Sequence, residues 1–125
     1  KRDELQKHQW VVEGAGGLLV PLNSTLLMTD LIRMLNLSVV LVSSTRLGTI
    51  NHTLLSAYHL SAMGVDVAGI ILSGERDESA VTGITDHSPC PILAEVPFME
   101  NLDPTTLKSV GYSLWAHHSI QKRIS

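Results

Sequence analysis

The 125-residue sequence predicts an open, three-layer α/β sheet of mostly parallel strands. Three observations carry that reading. Short continuous apolar runs recur along the chain and stop at loops bearing glycine or serine, as strands covered on both faces do. Stretches with apolar residues at helical spacing lie between them. Strand and helix therefore alternate, and right-handed parallel crossovers need helical cover on the sheet.

Taken in order, Trp10, Val11 and Val12 form an apolar run that ends in Glu13 and then Gly14, Ala15, Gly16 and Gly17. That pattern predicts a buried strand stopping at a glycine loop. Residues 37–42 form a second run, ending at Ser43, Ser44 and Thr45, and residues 65–72 a third, ending at Ser73 and Gly74. Between these two, Ile50, Leu54, Leu55, Tyr58 and Ala62 repeat at helical spacing, with Gly64 where a helix-ending glycine belongs. This makes one β-α-β unit. Residues 77–87 are a further helical segment, followed by Pro89, Cys90 and Pro91 and an apolar segment at 92–96. Asp103 before Pro104 reads as an N-cap followed by proline at the first helical position, opening a helix toward His118. With no internal repeat or low-complexity tract, residues 1–125 are read as a single α/β domain.

Composition narrows the function classes. Hydrophobic residues make up 44% and aromatics only 4%, so the core must be aliphatic. Nine Lys+Arg against 12 Asp+Glu give a net charge of -3, and no window gathers basic residues on one face, so neither a nucleic acid nor an anionic membrane is an expected partner. The single cysteine, Cys90, cannot form an internal disulfide, which fits a reducing, cytoplasmic setting. No apolar stretch approaches the ~20 residues that span a bilayer. Because the chain opens on Lys1 and a charged segment leads straight into an apolar run, it reads as a piece of a longer protein.

In open parallel sheets ligands bind beyond the carboxyl ends of the strands. The informative residues are thus those just after each apolar run. A carboxylate at a strand end followed by glycines, as at Glu13 to Gly17, suits a nucleotide-magnesium site, although a tight turn with a solvated glutamate has the same spacing. The segment Leu47, Gly48, Thr49, Ile50 and Asn51 joins a strand to a helix, where exposed amides suit a carboxylate or phosphate. Plain N-capping by Thr49 or Asn51 accounts for it equally. The dinucleotide fingerprint fails at Leu19, and no lysine follows a glycine, so the phosphate-cradling G-x-x-x-x-G-K-[ST] does not occur in these residues. His52 and His59 lack the further ligands a metal site needs and read as surface or hydrogen-bonded histidines. Cys90 has no base partner, and no residue is singled out as catalytic.

Put together, the block from Trp10 to Leu22, the pair Asp30 and Leu31, residues 39–42 and the L-G-T-I-N-H block at 47–52 closely resemble dethiobiotin synthetases, with residues 68–72 and 94–97 resembling that family's later strands. The likeness covers nearly the whole chain, as the C-terminal part of the family's P-loop NTPase-type domain without its N-terminal strand and P-loop. It implies an ATP-dependent ligase of biotin biosynthesis. CO2 adds to an amine of 7,8-diaminopelargonic acid, the carbamate is phosphorylated, and the second amine closes the ring. By the same resemblance Glu13 would ligate Mg2+, while Gly14, Ala15, Gly16 and Gly17 would lie near the diamine. Leu47, Gly48, Thr49, Ile50 and Asn51 would hold the substrate carboxylate, and Ser73, Val96, Pro97 and Phe98 would border the nucleotide.

The resemblance also implies a homodimer with the active site at the subunit interface. The departures are specific: Ser73 and Gly74 stand where many members carry an adenine-reading asparagine, and Ala80 is the nearest position to a tyrosine that reaches the partner's substrate. The P-loop lysine and the other metal-binding acid of the family have no counterpart in the chain, so the 125 residues alone are expected to be inactive. A non-catalytic short paralogue that binds a small acid or a partner protein, and a cobalamin-type synthase on the same fold, remain the alternative readings.

Overall fold

Residues 10–115 are described in a computed structural model of the chain, and they fall into two compact units divided between Leu35 and Asn36. The first holds a turn-rich segment and one helix. Asn23 closes its loop by accepting from the Thr25 and Leu26 amides at 2.9 Å each, and Pro21 and Leu27 form an isolated antiparallel bridge. Helix α1, Met28–Leu35, follows. Its start is held by Asp30, whose Oδ2 accepts from the Leu27 amide at 2.8 Å, the backward half of a capping box. Met28, Leu31, Ile32 and Leu35 line its inner stripe while Arg33 and Met34 face outward, the i, i+3, i+4, i+7 pattern of a half-buried helix.

The expected strand at 10–13 is not formed. Trp10, Val11 and Val12 are exposed, Val11 by 97%, and the segment has no strand pairing among the described residues. A strand exists only within a ladder, so an apolar run outside any ladder of the described residues stays irregular.

The second unit carries the sheet. Strand β1, Val39–Ser44, leads through helix α2, Thr49–Ala62, to β2, Val67–Ser73; helix α3, Glu78–His87, then leads to β3, Ile92–Val96, and helix α4, Pro104–Trp115, follows. The three strands are parallel in the order β1-β2-β3. Ile70, Leu72 and Ile84 form one buried cluster, joined by Leu41, Ile50, Val81 and Ile92, so α2 and α3 cover one face of the sheet. Ala68, Leu93 and Ala94 form another, joined by Val40, Ile71 and Leu114, so Leu114 of α4 packs against the other face. The expected three-layer parallel α/β arrangement is present.

Two register irregularities decide which residues enter which cluster. Between Val39 and Val40 the partner on β2 advances from Val67 to Gly69, and between Ile70 and Ile71 the partner on β3 advances from Ile92 to Ala94. Each skipped residue reverses the in-out alternation, which is how the consecutive Leu93 and Ala94 enter one cluster. Gly69 sits between the two irregularities at φ +156°, and a Cβ there would lie 2.6 Å from both the Pro91 carbonyl oxygen and Leu93 Cγ. Only glycine fits that approach.

The helix ends agree with local chemistry. Asp77 caps α3 by accepting from the Ser79 and Ala80 amides at 3.0 and 3.2 Å. Asp103 caps α4 by accepting from Thr105 and Thr106 at 2.8 and 2.9 Å, with Pro104 in the first turn as expected. The expected extension of α4 toward His118 lies outside the described residues.

Candidate functional site

The segment between β1 and α2 is the most developed candidate. Gly48 takes the N-cap position in the left-handed region, φ 90° and ψ -4°, and no side chain caps the helix. Thr49 N donates to the Arg46 carbonyl at 3.0 Å, and His52 N to the Gly48 carbonyl at 3.0 Å. The amides of Ile50 and Asn51 therefore stay open at the start of a 14-residue helix, where aligned peptide dipoles favour an anion. This overturns capping by Thr49 or Asn51. Asn51 is exposed and caps nothing, whereas the Thr49 hydroxyl turns inward to Thr53, 3.4 Å away.

Beneath this turn lies a hollow of about 220 Å³ lined by Val42, Ser43, Ser44, Leu47, Thr49, His52, Thr53 and Ser56. Five hydroxyls and one imidazole make it a polar site at the carboxyl end of β1. Leu47 stands fully exposed at its lip, and Ile50 is anchored on the other side, where a Cβ added to Gly83 would lie 3.0 Å from Ile50 Cδ1.

The other strand ends share one row. Ser44 is in register with Ser73, and Ser73 with Val96. Thr45 N donates to the Ser73 carbonyl at 3.2 Å and Gly74 N to the Val96 carbonyl at 2.9 Å, which carries the ladder one residue past the strands. Ser73 and Val96 are half-buried there, with Pro97 and Phe98 exposed just beyond. Arg76 reaches Glu95 at 3.5 Å and Glu78 at 3.8 Å, exposed pairs that contribute little stability.

The residues at 13–17 belong to the first unit. Glu13 and its four followers are exposed; Gly16 has φ 80°, and the turn is closed by Val20 N donating to the Gly17 carbonyl at 3.1 Å. Glu13 is thus not a strand-end acid. No group of three or more His, Cys, Asp or Glu gathers for a metal among the described residues. Glu13 offers a single carboxylate, which matches Mg2+ only where phosphates and water complete its octahedron.

Thr53 and Ser56 were not legible as site residues, since hydroxyls inside a helix carry no motif. His59 is not a hydrogen-bonded histidine: its Nε2 is buried without a partner among the described residues. No helix of the described residues is long and apolar enough to cross a membrane.

The family described as an AAA domain matches residues 3–106. The ATP-dependent dethiobiotin synthetase BioD of Lawsonia intracellularis is 45% identical over 100 residues, covering 80% of this chain and 49% of that protein. The enzyme of the same name from Cytophaga hutchinsonii is 38% identical over 105 residues, 84% of this chain and 51% of that protein. The biotin biosynthesis bifunctional protein BioCD of Bordetella avium is 45% identical over 93 residues, 74% of this chain and 20% of that protein. The chain spans about half the length of the dethiobiotin synthetases it matches. It belongs to the AAA-domain family and is a homologue of the dethiobiotin synthetases.

Proposed function

We propose that this chain supplies the substrate-acid side of an ATP-dependent dethiobiotin synthetase acting in biotin biosynthesis, in which 7,8-diaminopelargonic acid and CO2 are closed into a cyclic urea. The observation that carries the reading is the uncapped start of α2. Ile50 and Asn51 present open amides beside Gly48, whose missing side chain lets a carboxylate approach. Fixing the acid end of a flexible diamine there would orient both amines at a constant distance from the anchor, converting ring closure into an oriented, near-unimolecular step.

Ser73, Val96, Pro97 and Phe98 form the edge against which the nucleotide would lie, with Phe98 giving an apolar face. Gly14, Ala15, Gly16 and Gly17 would present backbone near the diamine. Glu13 would hold Mg2+, which when bound to ATP neutralises charge on the phosphates during phosphoryl transfer. We read the Leu47 to Asn51 turn as serving a site shared between two copies in a cytoplasmic homodimer. The 125 residues alone lack the phosphate-cradling lysine and should not turn over substrate.

The test is expression of the complete reading frame that encodes these residues, assayed for dethiobiotin from diaminopelargonate, bicarbonate and Mg-ATP. Product formation that requires all three is expected. A folded, complete protein that makes none overturns the reading, as does turnover by residues 1–125 alone.

A further inference from the structure

The ends of the three strands and the start of α2 are joined by a row of backbone hydrogen bonds. Gly74 N donates to the Val96 carbonyl at 2.9 Å, Thr45 N to the Ser73 carbonyl at 3.2 Å, and Thr49 N to the Arg46 carbonyl at 3.0 Å. Thr45 stands in the middle of that row: its amide holds Ser73, and the carbonyl of the next residue holds the first residue of α2. Its side chain is engaged as well. Gly74 has φ +136°, a conformation that side chains rarely adopt, and a Cβ on it would collide with the Thr45 hydroxyl oxygen. The half-buried Thr45 side chain therefore lies directly against the Gly74 backbone, in space that any residue but glycine would fill. Contacts packed this closely transmit displacement, so moving one of the two loops moves the other.

We infer that Thr45, through its contact with Gly74, is a positioning residue that sets the distance between the turn from Leu47 to Asn51 and the edge formed by Ser73 and Val96. The inference rests on the proposed function, which gives the acid to the first of these and the nucleotide to the second, and it adds a residue belonging to neither. When Thr45 changes, each half keeps its own binding groups, and alignment between the halves is what is lost. Misplacing reacting groups by about 1 Å can cost on the order of a hundredfold in rate, whereas binding of each ligand by itself is spared.

The test uses protein from the complete reading frame, with steady-state kinetics and amide hydrogen exchange followed by mass spectrometry. Thr45→Ala removes the hydroxyl and leaves a gap against Gly74; Thr45→Ser keeps the oxygen in contact. We expect Thr45→Ala to lower kcat about tenfold, with KM for ATP and for diaminopelargonate each within about twofold of the parent, and Thr45→Ser to restore most of kcat. Gly74→Ala presses on the same contact from the other side and should speed exchange over residues 45–52. An unchanged kcat in Thr45→Ala, or a rise confined to one KM, overturns the inference, as does exchange over 45–52 that is indifferent to Gly74→Ala. Equal kcat losses in the Ala and Ser variants also overturn it, since they mark lost methyl packing rather than the contact with Gly74. If the parent itself makes no dethiobiotin while Gly74→Ala still speeds exchange over 45–52, the proposed function falls and the positioning of the two loops by Thr45 stands.

Discussion

Replacing Gly48 by alanine separates the conformation of the α2 start from its chemistry. At φ 90° an L-residue with a Cβ is strained, costing roughly 1–2 kcal/mol. The added carbon would sit 3.3 Å from His52 Cε1, but His52 is exposed and its ring can swing away, so the contact adds little. Urea denaturation of the complete protein should show a loss of about 1–2 kcal/mol for Gly48→Ala. Asparagine tolerates the left-handed region, so Gly48→Asn should recover part of it. Gly48→Val adds bulk at the point of approach and should raise KM for diaminopelargonate more than KM for ATP. An alanine variant with the parent's denaturation midpoint would refute the left-handed cap. A valine variant with unchanged diamine KM at matched stability would exclude the turn as the acid anchor.

Three further outcomes are expected. Glu13→Gln in the complete protein should cut turnover strongly at limiting Mg2+ with an unchanged melting temperature, because the residue is exposed; unchanged kinetics return Glu13 to a solvated turn. The hydrogen bond from the Ser79 hydroxyl, then that from the Ala80 amide, holds Asp77 below its ordinary pKa of 3.8. Its stabilising effect is therefore full above that value and is lost as pH falls through the lowered folded pKa. Acid melts followed by circular dichroism should show a shallower pH dependence below about pH 4 for Asp77→Asn than for the parent. Ile84, fully buried between α3 and the sheet, should cost about 2–5 kcal/mol when truncated to alanine, and a loss under about 1 kcal/mol in urea denaturation would contradict the packing described.

Much of the fold is legible where its cause is local. Asp77 and Asp103 mark their helices because an N-cap acts on amides two and three residues away, and β3 at 92–96 is bounded by Pro91 and Pro97. Helix α1 is harder to read despite its stripe of Met28, Leu31, Ile32 and Leu35, since no favourable N-cap precedes it and the capping contact runs backward from Asp30. What local pattern cannot carry is pairing. Trp10 to Val12 has strand composition but joins no strand ladder of the described residues, and the skipped residues on β2 and β3 reverse an alternation that sequence alone reads as continuous. The site divides in the same way. The L-G-T-I-N-H block announces a special strand-to-helix turn, but local rules make Thr49 a cap, whereas the fold turns its hydroxyl inward to Thr53.

Because β1 lies at one end of the strand order, its outer row of amides and carbonyls has no sheet neighbour among the described residues, and the strand carries neither proline nor charge to discourage one. Val42 adds an apolar side chain that is 69% exposed. Such a border is a template for self-recognition between molecules. Handling of this chain in isolation should accordingly be governed by concentration: dilute samples stay dispersed, while crowded ones associate along β1, and a lysine at position 42 would act as a gatekeeper against that association.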